Sequence, residues 1–236
     1  PDGTPVKQEN FMAEFLAWRG ECDSPIIMYV GGVIGYVRNL LGIVGLSYMQ
    51  LDDPELLSEI ISTIADLAYR GAEIQLRLGI KPDVIHFWED ICYNHGPLVQ
   101  PEYLREQVLP HYQRMTALAR RHGVELVSVD CDGKVDELIP LWLEGGVNTL
   151  FPIEMGTWNP DFLAWRRKYG RELRGIGGMN KHVLSQDRRA VDREIERLRP
   201  WVEGGGFIPC PDHRLPPNTQ WDLVRYYTDR MREVFQ

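Results

Sequence analysis

Six times along the chain a short apolar run ends in polar residues or glycine and gives way to a segment of helical periodicity. The runs span 26–30, 84–88, 124–129, 149–153, 173–176 and 207–209. Parallel strands cannot be joined by a tight turn; they need a crossover, and a helix is the usual one, so this alternation predicts a parallel sheet with helices packed on it. A doubly wound sheet and a barrel both satisfy the pattern. The barrel is preferred because no Gly-x-Gly-x-x-Gly turn follows any of the runs. Polar residues also stand at the C-terminal end of nearly every strand, where barrel enzymes build their sites. The expectation is therefore an α/β fold, a (β/α)8 TIM-type barrel, with residues 1–236 forming one domain. Eight strands close such a barrel. One or two N-terminal strands are thus expected to be missing from this sequence or hidden in residues 1–23, making the chain the C-terminal two thirds of the full barrel.

The helical segments read as 8–18, stopped by Gly20, and 54 to about Leu78, capped by Asp52-Asp53-Pro54. They continue as 102–122 between Pro101 and Gly123, 136–145, a helix capped by Asn159-Pro160, then 187–202 and 219–235. The net charge of -8, with no run of Lys and Arg, argues against a nucleic acid or an anionic membrane as partner. No apolar run approaches the 18 or more residues of a membrane span, and the first residues lack the progression of a signal peptide. A cytoplasmic protein acting on a small molecule is the expectation. Cys22, Cys92, Cys131 and Cys210 are scattered, with no Cys-x-x-Cys pair, so neither a disulfide framework nor a zinc knuckle is indicated.

The third run leads into Asp130-Cys131-Asp132-Gly133. A buried carboxylate costs several kcal/mol unless it is paired, protonated or bound to a metal. Strand alternation puts Asp130 and Asp132 on one face, roughly 6–7 Å apart at Cα, with Cys131 on the other. The remaining strand ends bring His86, Trp88, Glu89, Asp90, Glu154, Asn180, Lys181, Asp212 and His213 to the same mouth. Two carboxylates from one strand, Asp130 and Asp132, a third from the next, Glu154, and the His213 imidazole make an oxygen and nitrogen donor set for a divalent metal such as zinc, iron or manganese. Glu154, Glu89 and Asp90 are candidate catalytic groups, and His86, Trp88, Asn180 and Lys181 candidate substrate-binding groups. Each has a plainer reading. Glu89 and Asp90 suit a turn or a helix cap, His86 suits a hydrogen-bonded core histidine, and Lys181 suits a surface or anion-binding lysine rather than a Schiff base.

The succession Phe87-Trp88-Glu89-Asp90, Val129-Asp130-Cys131-Asp132-Gly133, Phe151-Pro152-Ile153-Glu154, Gly177-Gly178-Met179-Asn180-Lys181 and Pro211-Asp212-His213 resembles the uroporphyrinogen decarboxylase superfamily. It is most similar to the decarboxylase-like branch related to corrinoid-dependent methyltransferases. The resemblance implies a (β/α)8 barrel and, first, a metal-dependent methyltransferase working with a methylated corrinoid on a partner protein. It also implies an alternative, a cofactor-free lyase that decarboxylates a tetrapyrrole such as uroporphyrinogen. The methyltransferases hold zinc through His-x-Cys and a later Cys. Here the matching positions are Asp130, Asp132 and His213, a harder donor set, and Asn180 stands where relatives often carry Asp. A third reading is a non-catalytic binding barrel whose acids pair with arginines such as Arg38 and Arg174, and a homodimer is a further expectation.

Overall fold

The computed structural model describes residues 8–21 and 23–235. Six strands form one parallel sheet: β1 (Ile27–Gly31), β2 (Val84–Trp88), β5 (Leu126–Asp130), β6 (Thr149–Ile153), β7 (Arg174–Met179) and β8 (Phe207–Pro211). A two-stranded antiparallel ladder, β3 (Cys92–Tyr93) with β4 (Gly96–Pro97), follows β2. The six strands lie side by side in chain order, β1-β2-β5-β6-β7-β8. The order never reverses, so the sheet has no switch point of the doubly wound kind and progresses as a barrel wall does.

Among the described residues the sheet has the six strands read in the sequence and does not close. Among the described residues β1 and β8 each pair on one side only. Residues 8–21 form helix α1 (Gln8–Glu21) and not a strand, and residues 1–7 and Cys22 lie outside the described set. Six strands carry too little cumulative tilt and stagger to bring the edges together. Alternation divides the wall: Met28, Val30, Ile85, Phe87, Val127, Val129 and Leu150 are buried under helices. Ile27 and Tyr29 on β1 face the concave side at 59% and 50% exposure, and Ile208 on β8 is 62% exposed.

The crossovers are α2 (Ile34–Asp52) and α3 (Pro54–Arg77), then α4 (Pro101–Gln107) and α5 (Leu109–Arg121), α6 (Ile139–Glu144) and α7 (Phe162–Tyr169). A 3-10 turn (Lys181–Ser185), α8 (Arg188–Glu203) and the closing α9 (Trp221–Phe235) complete them. Asp53 caps α3 by accepting from Leu56 N at 3.1 Å, as its sequence position implies. The single helix expected over 102–122 is two helices meeting at Val108, because Pro110 has no N–H to continue the ladder. The α7 cap is Asp161, which accepts from Ala164 N at 3.0 Å, in place of the expected Asn159-Pro160. No helix among the described residues is long and apolar enough to cross a membrane.

Candidate active site

At the C-terminal mouth an acceptor just past one strand repeatedly reaches back to the backbone of an earlier loop. Glu89, after β2, accepts from Val33 N at 2.9 Å and Gly35 N at 2.7 Å in the loop that follows β1. Cys131 Sγ, after β5, accepts from Ile91 N at 3.3 Å in the loop after β2. Glu154, after β6, accepts from Gly133 N at 2.6 Å in the loop after β5. Asp212, after β8, accepts from Met155 N and Gly156 N, both at 2.8 Å, and from Lys181 N at 3.2 Å. Lys181 Nζ adds a contact to Asp212 at 3.3 Å. Loops packed this closely contain N–H groups that water cannot reach, and each must find an acceptor. The packing also dictates glycine: a Cβ on Gly32 would lie 1.9 Å from Trp88 O, and one on Gly133, at φ +89°, 2.8 Å from Tyr93 N.

Above these pinned loops opens a cavity of about 280 Å3, lined by Trp88, Asp130, Asp132, Phe151, Pro152, Cys210, Pro211, His213 and Arg214. His213 Nε2 lies 3.2 Å from Asp132 Oδ2, joining residues from β5 and β8 across the wall. Asp132 Oδ1 is buried without a hydrogen-bond partner. Burial, reinforced by repulsion from Asp132 and Asp90, pushes the Asp130 carboxyl up to about 7. Burial also raises Asp132, against the attraction of His213. Beside them His86 sits in the wall, Nδ1 2.8 Å from Ser128 Oγ and Nε2 4.0 Å from Asp130 Oδ2. Burial lowers the His86 pKa, favouring the neutral ring.

Four of the residues singled out in the sequence thus line the cavity: Trp88, Asp130, Asp132 and His213. The others have different places. Glu89 is fully buried as the clamp on the start of α2. Asp90 takes φ 46° and is held by Arg38, whose Nη1 lies 2.8 Å from its carboxylate and whose guanidinium covers the Trp88 ring at 5.0 Å. Glu154 binds the turn at Gly133, and Asn180 caps the 3-10 turn by accepting from His182 N at 3.0 Å. Lys181 is an ion-pair partner of Asp212 rather than a free anion-binding group. Cys210 was missed. β8 continues two residues beyond the run read in the sequence, and alternation then puts Cys210 on the same side as Ile208.

Among the described residues no three His, Cys, Asp or Glu side chains converge as ligands about one point. Two of the expected donors do stand at ligand spacing. Donors each about 2.1 Å from one ion sit roughly 3.0–3.4 Å apart, and Asp132 and His213 are 3.2 Å apart. The unpartnered Asp132 oxygen and the surplus of carboxylates around it suit a cation.

No protein-family model matches the chain, and no curated protein matches it. Among solved structures it is similar to a methyltransferase from Methanosarcina mazei, with a TM-score of 0.71 and 16% identity over 94% of this chain and 63% of that one. The chain therefore spans 63% of the length of that structure. At this identity the likeness establishes the fold: an α/β chain built on the same parallel-sheet architecture as that methyltransferase.

Proposed function

We propose that the mouth is the active site of a metal-dependent methyltransferase that works with a methylated corrinoid on a partner protein. The observation that carries this reading is the buried, unpartnered Asp132 oxygen beside His213, in an acid-rich cavity at the site-forming end of the wall. The likeness to a methyltransferase fold and the resemblance of the strand-end motifs to the uroporphyrinogen decarboxylase superfamily support it. Asp132 and His213, the two donors at ligand spacing, would hold the ion, with Asp130 the third donor that the resemblance implies and zinc the leading candidate. When bound, it would supply Lewis acidity and lower the pKa of an acceptor group. The chain's own groups do the rest. Asp132 contacts the His213 imidazole, and Trp88 and Phe151 line the cavity.

A second reading, cofactor-free acid–base chemistry such as decarboxylation, draws on the two carboxylate–imidazole contacts, His213 with Asp132 and His86 with Asp130. The cavity of about 280 Å3 is at the small end for ligand pockets. For the binding-only reading, Arg38 does pair with Asp90 at the mouth, while Arg174 pairs with Glu172 and the carboxylates that line the cavity, Asp130 and Asp132, are paired with neither. Elemental analysis of protein purified without chelators decides between the first two. About one divalent ion per chain is expected, lost in Asp130→Ala and His213→Ala. Metal-free wild-type protein that still turns over a substrate would leave the acid–base reading standing alone.

A further inference from the structure

Strand register sets three side chains in one row at the mouth. Trp88 on β2 stands opposite Asp130 on β5, and Asp130 stands opposite Phe151 on β6. All three line the cavity of about 280 Å3, so a carboxylate faces it with an aromatic ring on either side. Neighbouring strands lie about 4.8 Å apart, which sets the Trp88 and Phe151 backbones about 10 Å apart with Asp130 between them. Among the described residues no arginine or lysine pairs with Asp130, and the His86 ring, 4.0 Å away, is beyond hydrogen-bond reach. The nearby cations are taken: Arg38, which packs on the Trp88 ring, pairs with Asp90, and Lys181 pairs with Asp212. Arg214 also lines the cavity, but it is exposed, and water and salt screen its charge.

A largely buried carboxylate between two rings favours a positively charged ligand, since a neutral group leaves the charge uncompensated and an anion is repelled. The rings then choose among cations. A primary ammonium is a compact charge that holds its water, whereas an alkylated ammonium spreads its charge over carbon groups that pack against ring faces. A cation seated over Asp130 stands within the roughly 6 Å at which such a face attracts it, from Trp88 on one side and Phe151 on the other. We propose that the row of Trp88, Asp130 and Phe151 is a subsite for a small alkylammonium group on the substrate. The inference rests on the mouth being the active site. Asp130 has two oxygens and can face the ammonium group with one while the other completes the donors of an ion on Asp132 and His213.

Titration calorimetry with choline and with 3,3-dimethyl-1-butanol, its uncharged carbon isostere, reads the subsite directly. Wild-type protein is expected to bind choline about tenfold more tightly than the isostere. Trp88→Leu and Phe151→Leu keep an apolar wall and remove a ring face. Each is expected to weaken choline about tenfold and to leave the isostere within about twofold. The thermal transition of each variant reports that it is folded, and the wild-type comparison of the two ligands needs no variant. Equal affinity for choline and the isostere overturns the inference, as does wild-type protein that takes up no choline at about 50 mM. Choline binding indifferent to both substitutions overturns it equally. Elemental analysis of the same samples separates this outcome from the metal reading. Metal-free protein that prefers choline defeats the metal and keeps the subsite, and metal-bearing protein blind to the charge defeats the subsite alone.

Discussion

Glu89 has no exposed surface, and burial pushes its carboxyl from 4.5 up to about 7 even though the Val33 and Gly35 N–H groups pull the other way. A carboxyl whose pKa rises on folding holds its proton more tightly in the folded state. Its contribution to stability is full below about pH 4.5 and is lost as the pH climbs through 7. Glu89→Gln removes that slope. It also turns an amide N–H toward one of two buried backbone donors, at a cost of about 1–3 kcal/mol. Melting curves from pH 5 to pH 8 are therefore expected to show a variant less stable than wild type at pH 5, with the gap narrowing toward pH 8. Sequence showed Asp130, Asp132 and His213 on one mouth because alternation and strand ends fix where such residues point. It did not separate these from Glu89, Glu154 and Lys181, since an acid that reaches back to a neighbouring loop looks, residue by residue, like one that faces a substrate.

Among the elements, the six strands and their crossovers were legible because apolar runs and helical periodicity alternate so regularly along the chain. α2 was not. It breaks at Gly42 and its few polar residues form no continuous face, so it offers little of the contrast from which a surface helix is read. The loops that end the last three strands depend on one another through Asp212, which is fully buried and serves Met155, Gly156 and Lys181 together. Asp212→Asn leaves the Lys181 ammonium, largely buried, without its counter-charge. A loss of about 3–5 kcal/mol is expected in urea denaturation, far beyond what one exposed ion pair contributes. An unchanged midpoint would mean that the three loops hold themselves.

At the scale of the whole molecule, chain-order pairing makes the sheet a section of barrel wall with two free edges. Its order was predictable from repeated crossovers, and the six strand units read in the sequence already fall short of the eight that close a barrel. The concave side carries a second cavity, about 290 Å3, lined by Val84, Leu126, Ile176, Phe207 and Ile208 among others. Anilinonaphthalene sulfonate is expected to fluoresce on binding there, and Ile208→Lys to cut the signal severalfold; undiminished emission would place the dye elsewhere. The back-reaching acceptors have a consequence in time. Val33 waits for a carboxylate 56 residues later, Ile91 for a sulfur 40 later, and Met155 for a carboxylate 57 later. A ribosome adding about 5–20 residues per second sets each loop seconds after it emerges. Translation thus finishes the mouth from its first loop to its last, and a nascent chain halted before Asp212 would hold most of the wall and no finished site.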